Sequence, residues 1–209
     1  MRILFQGDSI TDGNRLRDNP SDLNHQIGHS YAYILAAHYG ARFPERGLAF
    51  VNRGCSGNRA RDIAVRMEPD ILALQPDLVS LLAGVNDVCR ARDAGETPDL
   101  AAFERVYRSI LTAVREQNPR CVLVLLEPFL GPDKGPSEDM AAVQQIIREL
   151  AAAFHALHVP LQQRFEQAFL RAEPRYWLWD GVHPTEAGHQ LIADAWQEAV
   201  EPSVPALRL

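Results

Sequence analysis

A chain of 209 residues with 46% hydrophobic and 23% charged side chains lies near the globular average and far from a disordered composition. One domain over 1–209 fits this length and can bury roughly 70% of the surface its unfolded form exposes, with no need of disulfide or metal staples. The formal net charge of −6 argues against a nucleic-acid binder, and Cys55, Cys89 and Cys121 form neither a CxxC pair nor an even disulfide framework.

In chain order, "RILFQ" (2–6) reads as the first strand and "LAFVNR" (48–53) as the second. "DLVSLLAG" (77–84), "CVLVLLEP" (121–128) and the shorter "ALHVPL" (156–161) follow as the third to fifth. These runs are apolar throughout, as parallel strands covered on both faces should be. Helical patterns lie between them. The stretch 30–40 opens on a Ser30 cap and stops at Gly40, and 61–75 is broken or restarted at Pro69. An amphipathic helix over 99–117 is capped by Asp99, another over 137–156 opens at Ser137, and the last, 185–200, follows Pro184. Alternating strands and helices predict an α/β fold, a three-layer α/β/α sandwich with right-handed crossovers. Met1 leads straight into a strand, leaving no room for a secretion signal, and no apolar run approaches the ~18 residues of a membrane span. The expectation is a cytoplasmic protein without a membrane or nucleic-acid partner.

Polar residues gather where the strands give out. The first strand ends in "GDSITDG", the second in "NRGCSGN", the third in "AGVNDV", and "WDGVHP" precedes the last helix. Singly, each is as well explained by a glycine turn, a helix cap or an ordinary loop. Acyl transfer joins them. A serine hydroxyl needs a histidine to take its proton, and the histidine needs a carboxylate to orient it. Asp180 and His183 stand three apart, within reach of one another, and Ser9 lies at the ligand-binding edge of a parallel sheet. The oxyanion donors read from the strand ends are the Ser9 N–H, the Gly54 N–H and the Asn86 amide. Glycine at 54 would let a backbone donor approach substrate with no Cβ in the way.

These four blocks, in this order, resemble the GDSL or SGNH hydrolase superfamily, named for a Ser, Gly, Asn and His that map here onto Ser9, Gly54, Asn86 and His183. The resemblance runs from the first strand to the last helix. It implies a flavodoxin-like, five-stranded parallel sheet, Asp180 as the third triad member, and no metal or organic cofactor. "FQGDSITDGNR", "VNRGCSGNRARD", "GVNDVCR" and "YWLWDGVHPTEAGHQLIADAW" look most like the bacterial intracellular acetylxylan esterase branch. That branch implies a small-molecule acyl ester or acetylated oligosaccharide as substrate, and self-association by analogy. The sequence departs at Gly181, where relatives also carry larger side chains, and in the loop 14–29, which varies with substrate.

Other candidates have plainer readings. Asp8 reads chiefly as a turn residue accepting backbone hydrogen bonds, though its place beside Ser9 also sets it among the substrate-binding candidates with Trp179 and Phe129. Trp179 would wall the pocket against a sugar ring, and Phe129, in the loop 128–136, would reach the cleft. Asp87 reads as a helix cap or site support, and Arg53 and Asn58 as loop anchors. His25 and His29 have a metal-like spacing but no third ligand nearby, and His38 and His189 are unremarkable helical residues. Two rival functions stand: a lysophospholipase or thioesterase with the same chemistry, and an inactive carbohydrate-binding protein on a hydrolase-like fold.

Overall fold

The computed structural model describes residues 1–17, 23–135 and 137–208. Part of the loop 14–29 and Pro136 of the loop 128–136 therefore lie outside the described residues. In chain order the regular elements are β1 (Arg2–Gly7), α1 (Ser9–Asp12), α2 (Leu23–Gln26), α3 (Tyr31–Arg42), β2 (Ala49–Asn52) and α4 (Ala60–Val65). They continue with α5 (Met67–Asp70), β3 (Leu78–Leu82), α6 (Val85–Asp93), α7 (Leu100–Gln117) and β4 (Val122–Leu126). The chain finishes with α8 (Glu138–Ala153), β5 (Leu157–Val159), α9 (Leu161–Phe169), α10 (Pro174–Trp177) and α11 (Glu186–Val200).

All five strands are parallel, in the order β2-β1-β3-β4-β5. Helices α3, α9 and α11 pack together on one face, and α4, α7 and α8 on the other. The architecture is the expected three-layer α/β/α sandwich. Every residue of β3 is buried, which explains why its sequence is apolar without alternation. Trp196 of α11 is wholly buried and packs 6.1 Å from the Phe5 ring of β1, its indole N–H donating to Ser80 Oγ of β3 at 3.0 Å. That bond satisfies two buried polar groups at once, so the last helix is seated on the centre of the sheet.

The helices depart from the sequence reading in several places: α8 ends at Ala153 and not at 156, α9 stands where no helix was expected, and two further boundaries shift for a local reason. α3 runs through Gly40, where a Cβ would meet open space, and stops at Phe43. A solvent-facing glycine costs about 1 kcal/mol of propensity but obstructs nothing, so the helix continues. The stretch 61–75 breaks at Arg66, before Pro69, because proline within the first turn of α5 has no bond to lose. Among the described residues no helix is long and apolar enough to cross a membrane.

The order of the strands positions the site. Chain direction across the sheet reverses between β1 and β3, which opens a crevice at their carboxyl ends. Ser9 follows β1, the turn 54–57 follows β2, and Asn86 lies in the first turn of α6, just after β3.

Candidate active site

β1 ends at Gly7 and the chain turns at once into α1, whose first residue is Ser9. Asp8 caps this short helix, its Oδ1 accepting from the Ile10 N–H at 3.0 Å. Near the other end of the chain, an antiparallel bridge between Leu178 and Pro184 closes a tight loop, reinforced by the Trp179 N–H on the His183 carbonyl at 3.0 Å. Within the loop, Asp180 Oδ1 accepts from the backbone N–H groups of Val182 (3.0 Å) and His183 (2.7 Å). Its Oδ2 lies 2.7 Å from His183 Nδ1, and His183 Nε2 lies 2.9 Å from Ser9 Oγ.

A carboxylate can only accept, so Nδ1 carries the imidazole proton and Nε2 is left to accept from Ser9. Burial opposes the charge on Asp180, but the bonds from the His183 N–H and ring and the Val182 N–H outweigh it and hold the carboxyl below its ordinary value. A serine–imidazole–carboxylate chain of this kind can transfer the serine proton and stabilise the imidazolium that results.

Gly181 has a structural reason to be glycine. Its φ is +82°, and a Cβ there would run into the Asp133 carboxylate. Its carbonyl accepts from the Gly131 N–H at 2.8 Å, so the loop after β4 clamps the Asp180–His183 loop from behind.

The expected role of Gly54 is overturned. Its N–H donates to Asn52 Oδ1 at 2.8 Å inside the protein, and a Cβ would collide with the backbone of Asp12. Glycine is required there by close packing against α1. Of the two glycines in this turn it is Gly57, three residues on and at φ +77°, that lines the cleft. Its N–H has no acceptor among the described residues. Asn86 lines the same cleft; its Nδ2 spends one hydrogen on the Asn58 carbonyl at 3.1 Å and, among the described residues, keeps the other. Asp12 fixes the intervening turn, its Oδ2 accepting from Ser56 N–H (3.0 Å) and Ser56 Oγ (2.9 Å) and pairing with Arg17. Asp87 caps a neighbouring helix and not its own, accepting from the Ala60 N–H of α4 at 3.1 Å; burial pushes its carboxyl up to about 6.

Two substrate-binding expectations also fail. Phe129 is wholly buried, its ring 4.2 Å from that of Phe165 on α9, because the loop after β4 folds back against that helix. Asp8 is wholly buried under the α1 turn and does not reach the cleft. Burial drives its carboxyl up to about 7, against the Ile10 N–H bond and the His183 charge that favour the anion. An acid raised from 3.8 to about 7 on folding binds more protons folded than unfolded between those values. Its contribution to stability therefore falls as pH rises through that window and is lowest above about 7. Asp8→Asn should thus gain in melting temperature relative to wild type between pH 5 and pH 8. A constant difference between the two proteins over that range would remove Asp8 as the titrating group.

The two tryptophans divide. Trp177 is buried in the core, whereas Trp179 is 59% exposed and stacks on the His183 ring at 5.4 Å and 20°. Trp179, Ser9, Gly57, Asn86 and His183 border a cleft of about 730 Å³. A smaller lobe of about 420 Å³ shares Ser9, Asn86 and His183 and is walled by Val85, Cys89 and Val182, with Arg92 and Lys134 beside them. The cleft also takes in His29 and His189, to which the sequence reading gave no role in the site, and Glu186, which it did not single out. The spacing of Glu186 and His189, one turn apart at the start of α11, is the one sequence signal that could have marked that pair. Among the described residues no cluster of three or more His, Cys, Asp or Glu side chains is placed to hold a metal ion.

Residues 5–191 match the GDSL-like Lipase/Acylhydrolase family. An acetylxylan esterase of Geobacillus stearothermophilus is 32% identical over 200 residues, covering 93% of this chain and 91% of that protein. The crystal structure of an acetylxylan esterase from the same organism, Axe2, superposes with a TM-score of 0.88 at 30% identity, over 99% of this chain and 96% of that one. Structures of Axe2 include catalytic mutants in which a serine or an aspartate is replaced by alanine. LAE5, an α/β hydrolase from the metagenome of Lake Arreo, Spain, has a TM-score of 0.87 at 32% identity, over 95% and 94% of the two chains. The chain belongs to the GDSL-like lipase/acylhydrolase family and is a carboxylic ester hydrolase.

Proposed function

We propose that this esterase removes acetyl groups from carbohydrate, with acetylated xylo-oligosaccharides as the substrate class, through an acyl-enzyme on Ser9. The observation that carries the reading is the hydrogen-bonded series Ser9–His183–Asp180 opening into a polar cleft beside an exposed tryptophan. Ser9 attacks the ester carbonyl while His183 takes its proton; His183 then returns the proton to the departing sugar oxygen. Asp180 holds the imidazole tautomer throughout. Water, activated by the same histidine, releases acetate.

The developing oxyanion is held by the N–H groups of Ser9 and Gly57 and by the free hydrogen of the Asn86 amide. Asn86→Ala is expected to lower kcat by roughly 100- to 1,000-fold; steady-state kinetics on an acetyl ester would measure it, and a variant near wild type would remove the amide from this role. The smaller lobe suits a short acyl group, because charged Arg92 and Lys134 flank the few apolar side chains that line it. The axial face of a pyranose is apolar enough to lie on Trp179, whose exposed ring stands next to the base.

The test compares p-nitrophenyl acetate, p-nitrophenyl octanoate and peracetylated xylobiose. Acetate release from the sugar and a preference for acetyl over octanoyl are expected. Preference for the longer chain would replace the deacetylase reading with a lipid or thioester one.

A further inference from the structure

The wide lobe of the cleft contains a histidine that the proposed mechanism does not use. His189 sits in the first turns of α11 with its Nδ1 on the Tyr31 N–H, 3.2 Å away, at the N-terminus of α3. An imidazole nitrogen that accepts from a backbone N–H carries no proton of its own, so the tautomer is fixed and the proton resides on Nε2. No described residue bonds that Nε2, and the side chain borders the cleft that contains Ser9 and His183. Burial first, then His29 and His183, push His189 down to about 4 against the opposing charge of Glu186, and the positive end of α3 acts in the same direction as burial. The ring is therefore neutral across the working range, a fixed dipole and not a charge. One turn earlier on the same helix face, the Glu186 carboxylate lines the same cleft.

From this geometry we infer that His189 and Glu186 form a donor–acceptor pair for a vicinal diol of the sugar leaving group, Nε2–H donating to one hydroxyl and the carboxylate accepting from its neighbour. The inference rests on the carbohydrate esterase reading above and assigns the wide lobe to the sugar. A neutral donor suits this task. It rewards a hydroxyl without favouring anionic substrates, and a substrate lacking that hydroxyl leaves a desolvated N–H unpaired. His189 is thus a positioning residue for the alcohol half of the ester and takes no part in proton transfer.

The test uses three esters: methyl 2-O-acetyl-β-xylopyranoside, which keeps two free hydroxyls; the acetate of a hydroxytetrahydropyran, which keeps the ring and has none; and p-nitrophenyl acetate. His189→Asn retains an acceptor for the Tyr31 N–H, since Oδ1 takes the place of Nδ1, but withdraws the deeper donor. His189→Gln places an amide N–H near the depth of the lost Nε2. Wild type is expected to favour the xyloside over the hydroxyl-free ring by ten-fold or more in kcat/KM. His189→Asn should shrink that preference at least five-fold, chiefly through KM, and His189→Gln should restore much of it. An unchanged preference in His189→Asn, or an equal fall on all three esters, would overturn the inference in favour of a purely structural histidine. A wild type that cleaves p-nitrophenyl acetate but shows no preference for the xyloside would defeat the carbohydrate reading and this pair together, while leaving Ser9 as the nucleophile.

Discussion

Ser9→Ala is expected to lower kcat on p-nitrophenyl acetate by about 10⁴- to 10⁶-fold, the scale set by removal of the nucleophile in other serine hydrolases. The variant should keep its melting temperature. Ser9 lies at the cleft surface, its hydroxyl bonds only His183 among the described residues, and the α1 turn is held by Asp8 and by the Asp12 N–H on the Asp8 carbonyl at 2.8 Å. None of these supports depends on the hydroxyl. What remains after the substitution is binding and the oxyanion donors, which act on whatever water reaches the ester. An organophosphonate provides the second arm, because it should add covalently to wild type at Ser9 and not to the variant. Labelling of Ser9→Ala to the same extent, or turnover within ten-fold of wild type, would place the nucleophile elsewhere.

Asp180→Asn should cost about 10⁴-fold in kcat, a penalty of tautomer and not of shape. The amide oxygen can still accept from the Val182 and His183 N–H groups, so the loop keeps its backbone bonds. The amide nitrogen replaces Oδ2 opposite His183 Nδ1 and donates to it. Nδ1 must then be the unprotonated nitrogen, the proton moves to Nε2, and the imidazole meets Ser9 with a hydrogen it cannot exchange for another. The deficit should appear in kcat with KM little altered, because Asp180 makes no contact assigned to substrate. A loss confined to KM would mean that the carboxylate binds the ligand and does not orient the base.

Much of the fold could be read from the chain because its signals are local. Five apolar runs of strand length alternating with amphipathic stretches point to a parallel α/β sandwich, whereas the flavodoxin-like sheet followed from the family resemblance; Ser30, Asp99 and Ser137 cap the helices where a side-chain oxygen should. Ser9, Asn86, Asp180 and His183 were legible for the same reason: each stands at a strand end or just before a helix, where side chains of that kind are conspicuous.

Gly54 and Gly57 were not separable. "NRGCSGN" offers two glycines three apart, and the choice between them is made by Asn52, whose side chain turns back to occupy the Gly54 N–H. Nothing in the heptapeptide announces that return. Phe129 failed differently. A phenylalanine in a Pro- and Gly-rich loop has the same sequence character whether it faces a cleft or a helix, and here contact with Phe165 decides it. His189 was invisible because its tautomer is set by Tyr31, 158 residues away. For Phe129 and His189 the deciding partner is remote in sequence; for Gly54 it stands two residues away, and only the folded turn brings the amide back onto the N–H.

The bond between Ser9 and His183 spans 174 positions of the chain. During synthesis at about 5–20 residues per second, the serine is added to the chain roughly nine to thirty-five seconds before its histidine. Over that interval the nascent polypeptide has a hydroxyl at the end of its first strand and no base to activate it. On the proposed mechanism, hydrolysis begins only once the closing loop has docked, so the appearance of esterase activity should report that docking, and a chromogenic acetate added to a refolding mixture would serve as a clock for it.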